Sequence, residues 1–354
     1  MSSRRWRDIA RTPLSRAMDA YRLRAKDVAG WEQVPRPTPG AGEVLVAIKA
    51  NGRCRAAVHA LRGLLKQDPS TLGHEGAGVV EAVGPGVTAP KVGDRVVVNY
   101  VNPDGTCPMC RSGREEICEH ALIGFGADGV FADAIALPAA NVAILPDNIP
   151  FEEGAVLGCA GCTAWSATLR SGLRPGQACM IIGLGGVGMQ GVQTAKLFGA
   201  APLVAVDVSE AKLAIAKRLG ADILVNATKE DPVRVARSLG DGRGVDVSFE
   251  YIGLPQTLNQ TIRAVRGGGI AVMVGIPAGE IAFNGLTFNL DAKTLLAIQG
   301  HTNRDLREVL AARARGLLRT GETITHRLPF KELERAFAIL EHQEGDPVRI
   351  VLTH

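Results

Sequence analysis

The stretch Ala178-Cys179-Met180-Ile181-Ile182-Gly183-Leu184-Gly185-Gly186-Val187-Gly188 decides how this chain is read, because an apolar strand runs straight into a glycine-rich turn. A helix-like run, Val187 to Leu197, follows it. In that setting glycines permit a tight turn and let a pyrophosphate approach the free N–H groups at a helix terminus. The next apolar run, Leu203 to Asp207, ends on a carboxylate at the spacing of about 20 residues that ribose recognition requires. Gly183, Gly185, Gly186, Val187 and Gly188 are therefore expected to hold the diphosphate of a dinucleotide, and Asp207 its adenosine ribose. A carboxylate there repels a 2′-phosphate, and Val208-Ser209 bring no arginine to offset the repulsion, so NAD is expected rather than NADP. Ser209 is well placed to cap the helix starting near Glu210, and Lys212 within it is counted among the cofactor contacts.

Downstream, strands and helices alternate through Ser209 to Leu219, Asp222 to Asn226, Val245 to Tyr251 and Ile270 to Val274. Five strands with crossovers predict an open, doubly wound parallel sheet. Upstream, Gly42 to Val98 carries short β-branched runs (Val44-Leu45-Val46, Gly78-Val79-Val80, Arg95 to Val98) punctuated by Pro39-Gly40 and Gly84-Pro85-Gly86. That pattern predicts a smaller, mostly antiparallel barrel-like domain, so the fold class is α/β plus β. The tail, with an amphipathic segment Lys331 to His342 and a strand-like Val348 to Leu352, is expected to return and complete the first domain.

A length of 354 residues exceeds what one core usually organises and makes a cleft between two domains available. Hydrophobic residues make up 46% and charged residues 21%, as in ordinary globular proteins. The net charge of +4 is small, and no basic block interleaved with aromatics marks a nucleic-acid surface, so a small-molecule substrate is expected and no nucleic acid. No apolar run is long enough to span a membrane. The Arg-rich start, Met1 to Arg16, lacks the apolar core of a secretion signal and reads as a solvated extension or a transit peptide. An odd count of seven cysteines argues for thiols in a reducing compartment, the cytoplasm.

Cys107-Pro108-Met109-Cys110 with Cys118 places three soft ligands in one loop, and Asp104 supplies a fourth donor; the pattern is that of a closed structural zinc site, the alternative being free thiols. Cys54, His74 and Cys159 form a dispersed set that would leave one position of a tetrahedral metal open, as a catalytic zinc needs. Spacing alone does not separate that reading from a buried apolar thiol and a hydrogen-bonded histidine.

With Cys54 and His59, Gly73-His74-Glu75, the Cys107 to Cys118 loop and the Gly183 to Gly188 turn in this order, the chain resembles the zinc-containing alcohol dehydrogenases of the medium-chain dehydrogenase/reductase superfamily from about Met18 onward. The resemblance implies a GroES-like domain over 18–162 completed by 303–354, a Rossmann domain over 163–302, and an extension over 1–17. It implies that Cys54, His74 and Cys159 ligate a catalytic zinc, that Glu75 can approach the metal, and that Arg55 contacts the pyrophosphate. Two zinc ions per chain and hydride transfer between NAD(H) and a small alcohol or carbonyl follow from it. It further implies a homodimer or homotetramer joined through the Rossmann sheets, with Ile270 to Val274 and Leu295 to Ile298 as the segments in contact.

Three positions depart from the family pattern. Asp104 stands where a fourth cysteine is usual. Ala56 stands where a Ser or Thr hydroxyl begins a proton relay that ends on a histidine, here His59; water or the phenol of Tyr100, beside the expected substrate pocket, would have to replace it. Ala57 stands where an Asp usually orients a zinc-bound histidine, a partner worth about 10-fold to 100-fold in metal affinity or activity. Two rival readings follow: a reductase of an imine or activated alkene that needs no such relay or no catalytic metal, and a dinucleotide-binding protein without turnover.

Overall fold

The computed structural model describes residues 17–64, 70–118, 122–277 and 279–354, and the Arg-rich start lies outside the described residues. Six parallel strands form one sheet in the order Ile223–Asn226, Leu203–Asp207, Cys179–Ile182, Val245–Glu250, Val265–Met273, Thr294–Ala297. Cys179–Ile182 is buried along its whole length, as an uninterrupted apolar run between two helical layers should be. The chain leaves it to one side through Leu203–Asp207 and later crosses to the other side through Val245–Glu250. A crevice therefore opens beyond its carboxyl end, where the glycine turn lies.

The sheet has one strand more than the five expected, and of the two segments named for subunit contact only Leu295 to Ile298 overlaps an edge of it. Val265–Met273 is paired on both sides, so Ile270 to Val274 is interior; Thr294–Ala297 is the edge.

The second sheet runs Ile324–Pro329, Arg349–Thr353, Glu43–Arg53, Gly76–Val83, Arg95–Val98, Val142–Ile144, with Ala134–Pro138 also paired to Glu43–Arg53. All its pairs are antiparallel except the first. Arg349–Thr353 pairs with Ala50 to Arg53, so the end of the chain closes the sheet begun 300 residues earlier and aligns Arg349 with the strand that delivers Cys54. A hairpin of Ala17–Ala25 and Val28–Pro35 precedes this sheet. Its first strand alternates only over Tyr21 to Arg24 and its second is half-buried or exposed throughout, so neither presents a long period-two signal in the sequence.

Between the sheets runs one continuous helical stretch, Phe151–Val156, a π-helical turn Leu157–Gly161, and Cys162–Arg170. It packs against the helix Gly186–Leu197, with Thr168 Oγ1 and Thr194 Oγ1 hydrogen-bonded at 3.0 Å. Among the described residues no helix is long and apolar enough to cross a membrane.

Candidate active site

Cys54 follows the strand Glu43–Arg53, His74 and Glu75 immediately precede the strand Gly76–Val83, and Cys159 sits inside the π turn. Gly73 delivers the histidine at φ +90°, with no room for a side chain: a Cβ there would lie 2.5 Å from the ring of Phe131. The π turn over-fills one helical turn by a residue and so re-aims Cys159, a device common at functional sites. One ligand atom from each of Cys54, His74, Glu75 and Cys159 lies within 4.8 Å of all the others. His74 Nδ1 and Glu75 Oε1 are buried without a hydrogen-bond partner.

The charges of this cluster are tightly coupled. The thiol of Cys159 hydrogen-bonds Cys54, which with His74 and Arg349 outweighs burial and drives the Cys54 sulfur toward thiolate, while the same bond and burial push Cys159 up. Burial raises the Glu75 carboxyl above its usual range against the opposing pull of Arg349, whose Nη2 donates to Glu75 Oε2. Two sulfurs, an imidazole and a carboxylate crowded this closely, with Glu75 Oε1 orphaned among them, fit a tetrahedral zinc ion with Glu75 in reserve.

Asp104, Cys107, Cys110 and Cys118 also converge, again within 4.8 Å. Asp104 Oδ1 accepts from Cys107 N at 2.9 Å and Thr106 N at 2.7 Å, bonds that hold its carboxyl below the ordinary carboxylate range. Cys107 caps the short helix Pro108–Arg111 and accepts from Cys110 N at 3.4 Å; its sulfur lies 3.8 Å from that of Cys118. Glu116, buried between Arg114 and Arg170, and Glu115, accepting from Asn303 N at 3.0 Å, tie this loop to the body.

A cleft of about 390 Å³ opens over the first cluster, walled by Cys54, Ala56, His59, His74, Tyr100 and Cys159 on one side and by Val274, Ile276 and Ile298 on the other. An adjoining groove of about 200 Å³ is lined by Gly183, Gly185, Gly186, Val187, Asp207 and Lys212. Cys54, Arg55, Val187, Tyr251 and Ile252 line both, so the two spaces are continuous. The turn is as tight as its glycines suggest, since a Cβ on Gly188 would lie 1.8 Å from the carbonyl oxygen of Gly183. Asp207 is fixed by the backbone N–H groups of Leu184 at 2.7 Å, Val208 at 2.8 Å and Ser209 at 3.0 Å. Ser209 caps the helix Glu210–Arg218, and Lys212 Nζ donates to Gln343 Oε1 at 3.0 Å.

Tyr100 is buried edge-on to His74, ring centroids 5.2 Å apart, and its hydroxyl bonds Thr163; burial and the neighbouring thiols push its ionisation well above the ordinary tyrosine value. His59 faces the same cleft, its pKa lowered by burial and Arg55. Ala56 offers the cleft no hydroxyl, and Ala57 is buried with no polar group to meet the unpartnered His74 Nδ1.

Sequence reading missed three features. Arg53 and Arg349 line the groove from the interior, and their only signal was an arginine at the end of an apolar strand. The third is His301, which no motif marks: it is fully buried, its Nε2 meets Asn99 Oδ1 at 2.9 Å and its ring stands edge-on to Tyr100 at 5.1 Å.

Two sheets that place a sulfur-rich ligand set against a dinucleotide turn define a class: nicotinamide-dependent oxidoreductases built from a barrel and a Rossmann domain. The chain belongs to the zinc-binding dehydrogenases, since residues 40–147 match the alcohol dehydrogenase GroES-like domain and residues 186–315 the zinc-binding dehydrogenase domain. It is 37% identical to an alcohol dehydrogenase of Geobacillus stearothermophilus over 82% of this chain and 86% of the relative. It is 34% identical to the L-threonine 3-dehydrogenase of Symbiobacterium thermophilum over 96% and 98%. Among solved structures it is similar to the acetophenone reductase of Geotrichum candidum in complex with NAD, with 26% identity, a TM-score of 0.84, and 98% and 99% of the two chains covered. The protein is thus an oxidoreductase of the alcohol dehydrogenase type, with a nicotinamide dinucleotide as cofactor.

Proposed function

We propose that the protein interconverts a small alcohol and its carbonyl with NAD(H), using a zinc ion held by Cys54, His74 and Cys159. The observation that carries this reading is the continuity of the two spaces: residues lining the metal cluster also line the floor of the dinucleotide groove. Zinc bound there would supply Lewis acidity to a substrate oxygen, and the nicotinamide would supply or accept the hydride. The chain's own residues do the rest. Arg349 orients Glu75 through Oε2, Gly183 to Gly188 and Arg55 hold the diphosphate, and Val274, Ile276 and Ile298 form an apolar wall over the site. With Ala56 lacking a hydroxyl, the proton passes through Tyr100 and Thr163 or through water, and His59 stands at the open end.

The fixed carboxylate of Asp207 with no arginine beside it supports NAD over NADP. The second ligand set, Asp104, Cys107, Cys110 and Cys118, suits a second, structural zinc. The edge strand Thr294–Ala297 beside the exposed Leu286 and Leu290 supports pairing of two copies there, and a monomeric mass in light scattering removes that element. Seven free thiols support a cytoplasmic site of action.

A second reading rests on Ala56, which offers the cleft no hydroxyl: reduction of an imine or activated alkene, which asks less of a proton relay. Rates with NAD(H) and NADP(H) across alcohols, ketones, imines and enones, before and after metal removal, decide between them. The main reading expects alcohol or ketone turnover with NAD(H) that disappears with the metal. Metal-independent reduction of imines or enones alone contradicts it.

A further inference from the structure

The dinucleotide groove is lined by four cationic side chains, Arg53, Arg55, Lys212 and Arg349. Against them stand two carboxylates, Asp207 in the groove and Glu75 paired to Arg349 beneath it. The excess of two positive charges matches the two negative charges of a diphosphate. Arg53 is the least expected of the four. It is only 2% exposed, its guanidinium stacks on the ring of Phe337 at 3.8 Å, and Nη1 donates to the carbonyl of Cys54. Its Nε and Nη2 have no hydrogen-bond partner, and it forms no ion pair among the described residues. A desolvated cation with idle donors is costly, and native structures keep one where a ligand completes it.

We propose that Arg53 is a third arginine of the cofactor's diphosphate clamp, acting with Arg55 and Arg349. The inference rests on the dinucleotide reading above and adds a residue that neither the glycine turn nor Asp207 implies. The rival counter-ions are the sulfur of Cys54 and the carboxylate of Glu75. A divalent cation at Cys54 neutralises the first and Arg349 already engages the second, whereas a diphosphate supplies acceptors as well as charge. Removal of Arg53 must therefore weaken ligands that carry a diphosphate and spare those that do not.

The test uses the zinc-replete full chain, with NADH binding followed by fluorescence, ADP-ribose binding by calorimetry, and phosphate-free adenosine as control. Arg53→Met keeps an aliphatic stem on Phe337 and deletes the charge; Arg53→Gln replaces it if the methionine variant does not fold. Affinity for NADH and for ADP-ribose is expected to fall about 10-fold or more, as for a lost charge-assisted hydrogen bond. Adenosine is unchanged, Arg53→Lys recovers most of the loss, and the melting temperature of the unliganded protein does not fall. Unaltered NADH and ADP-ribose affinities in a folded variant overturn the role of Arg53, as does an equal loss for adenosine. If the unsubstituted chain binds neither NADH nor ADP-ribose, the dinucleotide reading itself fails and this proposal falls with it.

Discussion

The two ligand clusters of this protein are built in opposite ways. Asp104, Cys107, Cys110 and Cys118 come from one loop of 15 residues, are partly exposed, and owe their convergence to local turns and the Cys107 cap. Cys54, His74, Glu75 and Cys159 come from segments up to 105 residues apart, and all but Cys54 are buried. The loop cluster needs little of the fold beyond the Glu115 and Glu116 ties, so its metal is expected to govern stability. The dispersed cluster exists only where a strand end, a pre-strand turn and a π turn meet. Its geometry is a product of the fold, and it opens on the cleft.

Substitution of one ligand in each cluster should separate them most sharply. Cys159→Ala is expected to remove one zinc per chain and lower turnover roughly 10³-fold or more, with little change in melting temperature. Cys110→Ser is expected to remove the other zinc and lower the melting temperature by several degrees, while the protein that stays folded keeps turnover within about twofold. Metal analysis, thermal melts and steady-state rates on the two variants check this; the opposite pairing of effects would break the comparison.

A smaller effect concerns the unpartnered His74 Nδ1. Ala57→Asp is expected to supply the missing acceptor and raise the affinity of the dispersed cluster for zinc about 10-fold, measured by chelator competition, with no change at the loop cluster. An unchanged or lower affinity would mean that the buried site already has its best arrangement.

The least effect is on acid stability. Burial pushes the pKa of His301 down to about 3 and that of His354 down to about 4, from an ordinary 6.5. At these two sites the folded chain binds fewer protons than the unfolded chain below pH 6.5, so their contribution to stability is fully present above pH 6.5 and is lost as pH falls toward 3. His301→Gln should flatten that decline in melting temperature between pH 6.5 and pH 4, and an unaltered slope removes His301 as a cause.

Legibility in the sequence followed locality. The glycine turn, Asp207, the Ser209 cap and the cysteine loop were plain because their chemistry is carried by residues close in the chain. The parallel sheet is readable from alternation, but its sixth strand, Thr294–Ala297, is four residues long and half-exposed, too little to stand out as a strand. The dispersed cluster was readable only through family resemblance: nothing in the spacing of Cys54, His74 and Cys159 brings them together. Arg53, Arg349 and His301 carried no usable signal, because burial of a polar side chain is decided by tertiary packing.

The central claim is that the Cys54, His74 and Cys159 pocket faces the nicotinamide end of the bound dinucleotide. Cobalt substituted for zinc reports on this directly, because its thiolate absorption bands respond to what lies beside the ion. The account predicts that saturating NADH shifts those bands in the native protein and in Cys110→Ser, and that no shift remains in Cys159→Ala. A cobalt spectrum indifferent to bound NADH in the native protein would contradict it.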